Sequence, residues 1–163
     1  MLGFVSLVLA IVVGPIWLYL GVLTLFSWRK RPPPMNVGKR LVCVVPAHDE
    51  TDHIAATVRS LLSAAYPADK RKVLVVADNC SDDTADKARA AGAEVLERHD
   101  AVHKGKGFAL EAGFAHALRD ARVDGIIVVD ADTIVASNLW RAVAGRLAAG
   151  APAMQVPNPV RNP

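Results

Sequence analysis

The chain has 163 residues, a length that suits one domain with a sizeable core. Lys and Arg number 19 and Asp and Glu 16, for a formal net charge of +3. Five of the bases, Arg29, Lys30, Arg31, Lys39 and Arg40, stand together with no acid among them and leave 14 bases against 16 acids elsewhere, so the basic balance does not describe a nucleic-acid-binding domain. Hydrophobic residues make up 52% of the chain, and much of that excess lies before Arg29. The two cysteines exclude a disulfide framework. Cys43 falls in an apolar run and reads as a small buried hydrophobe, while Cys80 lies in a polar stretch.

Residues 1–28 carry no charge and read as a transmembrane anchor. Leu2 to Phe26 is long enough as a helix to cross a hydrocarbon core of about 30 Å. Pro15 interrupts it, which membrane helices tolerate. Trp28 is placed as an interfacial residue. A cleaved signal peptide would carry its basic residues ahead of a shorter apolar core, whereas here they follow a longer one. Arg29, Lys30 and Arg31 then put the C-terminal side in the cytoplasm by the positive-inside rule. Residues 29–39 read as a basic, proline-rich linker, with Pro32, Pro33 and Pro34 as a short stiff spacer.

From residue 40 to 163 apolar strands alternate with amphipathic helices, the pattern of an α/β domain with a parallel sheet and flanking helices. Strand one covers Arg40 to Val45 and ends in Pro46-Ala47-His48-Asp49-Glu50. Thr51 or Asp52 is expected to cap a helix with Ile54, Val58, Leu61, Leu62 and Ala65 on one face. Strand two, Lys72 to Ala77, runs into Asp78-Asn79-Cys80-Ser81-Asp82-Asp83-Thr84. Ser81 or Asp82 is expected to cap the next helix, with Gly92 as its C′ residue. A weak strand follows at Glu94 to Glu97. After a charged loop, a helix from Phe108 to Ala121 has Leu110, Phe114 and Leu118 in line. Strand four is Gly125-Ile-Ile-Val-Val129, predicted to be buried on both faces. A helix from Asn138 to Ala149 and an apolar piece, Met154-Gln-Val156, complete the series.

Strand four stops at Asp130-Ala131-Asp132. Unpaired carboxylates cannot stay inside a sheet, so both belong at its C-terminal tip, where open α/β sheets bind ligands. Two hard oxygen donors with room for water and phosphate suit Mg²⁺ or Mn²⁺ on a diphosphate. Read alone, the pair is equally a turn that caps the next helix. Its setting favours the site. The polar tips of strands one, two and four fall on one edge of a parallel sheet, facing Lys104-Gly105-Lys106-Gly107. No G-x-G-x-x-G and no G-x-x-x-x-G-K-[ST] occurs, which excludes a dinucleotide Rossmann site and a P-loop. Asp130-Ala-Asp-Thr-Ile134 also departs from the D-x-D-x-[TV] of haloacid dehalogenase phosphatases.

Taken together, these motifs resemble glycosyltransferase family 2, which has the GT-A fold. The resemblance runs over Leu41–Asp132 and rests on Val44-Val-Pro-Ala-His-Asp-Glu50, Val75-Val-Ala-Asp-Asn-Cys-Ser-Asp-Asp-Thr84, Gly105-Lys-Gly-Phe-Ala-Leu110 and Asp130-Ala-Asp132. Asp49 stands where the family usually has Asn, and Asn79-Cys80 where it often has Gly-Ser. The resemblance implies that Pro46, Ala47 and Glu50 line a nucleoside pocket and that Asp78 accepts a hydrogen bond from the uracil edge. It places Lys106 near the nucleotide and Asp130 on ribose or sugar, with Asp132 as ligand of the Mg²⁺ or Mn²⁺ that neutralises the leaving diphosphate. The implied partners are a UDP-sugar donor, a saccharide or lipid acceptor, and the membrane. Inverting transfer also needs a general base, which the family supplies well after the Asp-x-Asp. No Asp or Glu follows Asp132 in this chain. The expectation is therefore the donor-binding half of a membrane-attached glycosyltransferase, a fragment inactive by itself; the alternative is a non-catalytic, membrane-tethered nucleotide-sugar-binding module.

Overall fold

Seven consecutive apolar residues form the centre of the sheet. Every residue of β1 (Leu41–Ala47) is buried, because a strand lies on each side of it and helices cover both faces. The computed structural model describes residues 2–27 and 35–156, with side chains for 11–25 and 35–156. Trp28, the cluster Arg29, Lys30 and Arg31, the three prolines after it, and residues 157–163 lie outside the described residues. The chain forms two compact units, Met1–Pro32 and Pro33–Pro163.

The first unit is one helix, α1 (Leu2–Ser27), with Pro15 inside it. Its described side chains run from Ile11 to Leu25 and are exposed and apolar almost all round, with Trp17 at 69% and Leu18 at 72%. Among the described residues no helix is long and apolar enough to cross a membrane.

In the second unit β1 is followed by β2 (Arg71–Asp78), β3 (Glu94–Arg98) and β4 (Gly125–Val128), all parallel in the order β3-β2-β1-β4. The helices are α2 (Ile54–Ser63), α3 (Thr84–Ala90), α4 (Lys106–Ala117) and α5 (Leu139–Ala148). Alternate residues of β1 serve different faces. Leu41, Cys43, Val45 and Ala47 pack with α2, α3 and α5, while Val42 and Val44 join Leu74, Val76 and α4. The chain crosses the sheet one way from β1 to β3 and then returns past β1 to β4. A right-handed crossover in the return direction has to lie on the opposite face, where α4 is found. Asn36 to Lys39, the end of the predicted linker, rest on this unit: Asn36 N–H donates to the Arg141 carbonyl (3.1 Å) and Tyr66 Oη to that of Lys39 (2.5 Å).

Helix positions agree with the sequence better than helix faces do. Of the Leu110, Phe114 and Leu118 line, the first two pack against the sheet cluster half-buried and Leu118 is 62% exposed; Ala109, Gly113 and Ala117 are the buried positions. The cause is a close approach. A Cβ on Gly113 would stand 2.6 Å from Val44 Cγ1 and 2.9 Å from Val76 Cγ2, so only small residues fit beneath α4. In α2 the buried residues are Ile54, Thr57, Val58 and Leu61, and Ala65 is exposed. Neither Thr51 nor Asp52 caps α2; the Glu50 carbonyl accepts from His53 N–H (3.1 Å) and Ile54 N–H (3.0 Å) instead. At α3, Asp83 is the N-cap residue by backbone, and the predicted Asp82 supplies the bond, from Thr84 N–H (3.0 Å). Gly92 is the C′ residue as expected, with φ +100° and the paired bonds Gly92 N–H to Arg89 O and Ala93 N–H to Ala88 O of a Schellman turn. β4 is not buried on both faces: it is an edge strand among the described residues, and Val128 is 43% exposed. Met154 to Val156 forms no strand.

Trp140 of α5 anchors the first face. It is fully buried, stacks on Tyr66 at 6.0 Å between centroids and donates Nε1–H to the Leu61 carbonyl (3.0 Å). Substituting Gly113 by valine is expected to destabilise the fold by about 1–3 kcal/mol through overpacking. The change Leu118→Gln should stay within about 0.5 kcal/mol of zero, as at most exposed positions. Urea unfolding of the two variants checks both values.

Candidate functional site

The site begins where two ladders part. β1 pairs with β2 as far as Ala47 opposite Ala77, but with β4 only to Val44 opposite Val128. The last bond on the β4 side runs from Val129 N–H to the Val44 carbonyl (3.2 Å). Residues two apart in a strand turn their peptide groups toward the same neighbour, so Pro46 faces β4 with a nitrogen that carries no hydrogen. The strands separate there, and a cavity of about 640 Å³ opens between their tips. This is also where the strand order reverses, with β2 and β3 added on one side of β1 and β4 on the other, the usual ligand position in an open α/β sheet.

All seven residues singled out from the sequence line this cavity: Pro46, Ala47 and Glu50 after β1, Asp78 at the end of β2, Lys106 at the start of α4, and Asp130 and Asp132 after β4. His48, Asn79, Lys104, Gly105, Ala109 and Ala131 complete the wall. Gly105, the N-cap of α4, has φ +109°, a conformation that favours glycine and brings the lysine loop into the helix.

Asp78 is the most enclosed of the acids, at 5% exposure. Arg98 Nη1 donates to its Oδ1 (2.6 Å), as does Asn79 Nδ2 (3.0 Å), and its Oδ2 has no protein donor among the described residues. Arg98 also holds Asp100 (3.0 Å) and lies over the Phe108 ring at 5.8 Å. His48 Nδ1 stands 2.7 Å from the Asp78 carbonyl, which fixes a hydrogen on that nitrogen because a carbonyl only accepts. At the other end Lys106 Nζ meets Asp130 Oδ1 at 2.5 Å, and both side chains are more than half exposed. Asp132 is exposed as well. The peptide between the two aspartates is held from below by Thr57 of α2, whose buried hydroxyl donates to the Ala131 carbonyl (2.6 Å).

Not every acid on this edge faces the cavity. Asp49, at φ +53°, accepts from Ser81 N–H (2.7 Å) and Ser81 Oγ (3.2 Å). Asp82 accepts from Thr84 N–H and from Thr51 N–H (3.3 Å), and Thr84 Oγ1 accepts from Glu50 N–H (2.8 Å). Thr51 bonds Asp83, and Lys87 joins both. These bonds stitch the loop after β1 to the loop after β2. They also hold Asp82 and Asp83 below the usual carboxylate range, mainly through the Thr84 and Thr51 side chains respectively. The expected edge of three acidic clusters is therefore divided, with Asp49, Asp82 and Asp83 serving the scaffold. Asp49, Cys80 and Asp82 bring one potential ligand atom apiece within 4.8 Å. Their carboxylates are already committed to these loops, and burial pushes the Cys80 thiol up, toward its protonated form. Asn79, at φ +52°, shows why Asn serves where a glycine is common.

The motifs did not single out Arg98, which fixes Asp78, or His48. An arginine ending a strand directly opposite an aspartate-ending strand is the available signal for the first, and register reveals it only once β2 and β3 are paired, Asp78 opposite Arg98.

An α/β fold with a cavity at its switch point, two carboxylates at a strand tip and a lysine on a glycine-bounded helix start defines a nucleotide-type site. The sequence profile of glycosyl transferase family 2 matches residues 42–162, and the chain belongs to that family. It is 32% identical over 116 residues to the probable glycosyltransferase YdaM of Bacillus subtilis, covering 65% of this chain and 25% of that protein. The chain thus spans about a quarter of that curated relative's length. Among solved structures, it is 26% identical to glucosyl-3-phosphoglycerate synthase of Mycobacterium tuberculosis in complex with Mn²⁺, UDP and glucosyl-3-phosphoglycerate, at a TM-score of 0.55 over 68% of this chain and 40% of that one. The fold is also shared with a Pyrobaculum calidifontis mannosyltransferase in complex with GDP-Man and Mn²⁺, at 23% identity and a TM-score of 0.61 over 86% of this chain and 43% of that one.

The Arg98 pair makes a sharp test. Replacing Arg98 by methionine leaves the enclosed Asp78 carboxylate without its cation and is expected to cost about 3 kcal/mol in urea unfolding. The double variant Arg98→Met with Asp78→Asn should recover part of that loss. A second test concerns Asp100, whose carboxylate accepts from His103 N–H and Val102 N–H (both 2.9 Å), which pulls it down to about 2. A carboxyl lowered in the folded state contributes stability that is fully present above its unfolded value of about 4. That contribution is lost as pH falls from about 4 toward 2, and a carbon-13 titration of the Asp100 carboxyl should show the midpoint near 2.

Proposed function

We propose that this chain is the donor-binding part of a family 2 glycosyltransferase that takes a sugar from a nucleoside-diphosphate sugar, UDP in this reading, with Mg²⁺ or Mn²⁺. The observation that carries the proposal is the convergence of four separated segments on one cavity, with an apolar and acidic end at Pro46, Ala47, Glu50 and Asp78 and a charged mouth at Lys106, Asp130 and Asp132. The nucleoside belongs at the first end. There Asp78 Oδ2, held in place through the other oxygen by Arg98, is the acceptor for the N3–H of uracil. The diphosphate belongs at the second, where the α4 N-terminus and Lys106 supply positive potential.

The donor set at the mouth fits the implied cation. Asp130 and Asp132 are hard oxygen ligands on exposed turns with room for water and phosphate, which suits Mg²⁺ or Mn²⁺ better than softer metals. When bound, the cation neutralises charge that develops on the departing diphosphate. Lys106 offsets the Asp130 charge, so the mouth carries less self-repulsion than its carboxylates alone would give. The Thr57 bond to Ala131 keeps the two aspartates on a fixed support. No carboxylate follows Asp132, so deprotonation of a saccharide or lipid acceptor is assigned to no residue after it.

The first segment is proposed as a membrane anchor. The uncharged sequence from Leu2 to Phe26 and the apolar side chains all round α1 support a lipid environment, and Arg29, Lys30 and Arg31 support a cytoplasmic position for the second unit. A tethered nucleotide-sugar binder is the second reading, and it would use the same cavity.

Titration calorimetry of the full chain with UDP and UDP-sugars decides the donor site. Binding should appear with Mn²⁺ and fall at least tenfold without it or in Asp132→Asn. Binding indifferent to both would remove the proposed mouth. Transfer of radiolabelled sugar to an endogenous acceptor separates the enzyme from the binder.

A further inference from the structure

We propose that the opposite end of the sheet is a docking face for an anionic lipid surface. A second cavity, about 600 Å³, opens at the N-terminal ends of β1 and β2 and beside the C-terminal end of α4. Its charged wall holds six bases, Arg40, Lys70, Arg71, Lys72, Arg119 and Arg122, against two acids, Asp69 and Asp120. From residue 40 onward the chain has 15 bases and 16 acids, so this end concentrates charge that the unit as a whole does not carry. The donor cavity, with its four carboxylates, lies at the other ends of the same strands.

The side chains of four of the six bases are hydrogen-bonded to no carboxylate among the described residues, although the Arg40 backbone N–H donates to Asp124 (2.7 Å). Arg40 Nη1 donates to the Asp69 carbonyl (3.1 Å), Lys70 Nζ to the Val37 carbonyl (3.3 Å) and Arg71 Nη1 to the Ala64 carbonyl. Arg119 is exposed, and its guanidinium has no hydrogen bond or ion pair among the described residues. Only Lys72, with Glu94 (2.5 Å), and Arg122, with Asp120 (2.9 Å), are neutralised directly. Carbonyl partners orient a cation and leave its charge intact, so the face keeps a net positive field.

The form of the face favours a surface over a small anion. Its bases come from three segments and several are already tied to backbone, so they do not converge as a bidentate phosphate clamp would. In the sequence, the basic run Arg29, Lys30, Arg31, Lys39 and Arg40 leads from the apolar segment directly into this face. Bases next to a membrane segment are drawn to anionic headgroups. The inference rests on the anchor reading for residues 1–28. Docked this way, the unit turns its donor cavity away from the lipid.

Hydrogen exchange of the full chain tests the face, in lipid nanodiscs of phosphatidylcholine alone or with added phosphatidylglycerol. Peptides covering 68–72 and 117–123 should exchange severalfold more slowly in the anionic discs. The difference should vanish in the double variant Lys70→Glu with Arg119→Glu, and at about 1 M salt, where the Debye length is about 3 Å. Equal exchange in both discs, or slowing that survives the double variant, overturns the proposal. So does equal slowing in phosphatidylcholine discs on adding inorganic phosphate or duplex DNA, which would assign the face to those ligands. A chain that fails to elute with phosphatidylcholine discs overturns the anchor reading, while selective slowing with anionic discs still supports the face.

Discussion

The missing hydrogen on Pro46 organises this fold. A strand at the middle of a parallel sheet ordinarily pairs along its whole length on both sides. Here β1 continues with β2 for three residues after it has left β4. The gap has one buried wall and one exposed wall, the first made of β1 and β2 residues and the second of the aspartate turn. Both the cavity and the division of labour within it follow from this divergence. One side can hold a flat, uncharged ring against Pro46 and Ala47, and the other can hold charge in contact with water.

A ligand-binding edge built from loops has to be kept in register, and the acids do much of that work. Asp49, Asp82 and Asp83 accept hydrogen bonds across the two loops after β1 and β2, and Thr51, Thr84 and Lys87 answer them. Buried or half-buried backbone N–H groups find partners this way, as they must where a strand has ended and no ladder continues. Arg98 extends the same frame to β3 and to the first turn of α4 through Phe108. The helix that presents Lys106 is thus fixed at its start by Arg98 and along its length by the Gly113 approach to Val44.

Much of this could be read from the sequence, for identifiable reasons. Strands of unbroken Val, Leu and Ile announce burial in a parallel sheet, and Gly92 and Asn79 announce turns that need positive φ. Six of the seven chosen residues lie at or just after strand tips, and they meet because a parallel sheet aligns its C-terminal ends whatever the packing beneath; the seventh, Lys106, is brought to them by the start of α4. Helix faces were harder. In α4 the large residues Leu110, Phe114 and Leu118 suggest a core stripe, yet the close approach of helix to sheet puts the small residues innermost and leaves Leu110 and Phe114 half-buried beside them, and that distance is a tertiary property. The role of Asp49 was also hidden. Whether a strand-tip carboxylate meets a ligand or a neighbouring loop depends on Ser81, which is 32 residues away. Trp140 gave no signal, since its depth follows from Tyr66 and the Leu61 carbonyl.

The two sides of the cavity should also differ in stiffness. β1 and β2 are paired on both flanks and enclosed, whereas β4 has four residues, one described neighbour and an exposed Val128. Segments of that kind open locally at a fraction of the global unfolding free energy. The aspartate turn that follows β4 is therefore the compliant jaw, and the Asp78 side is the fixed one. In the proposed reading, compliance falls where the charge of a diphosphate would be accommodated and then released, and rigidity where a base would be recognised by shape.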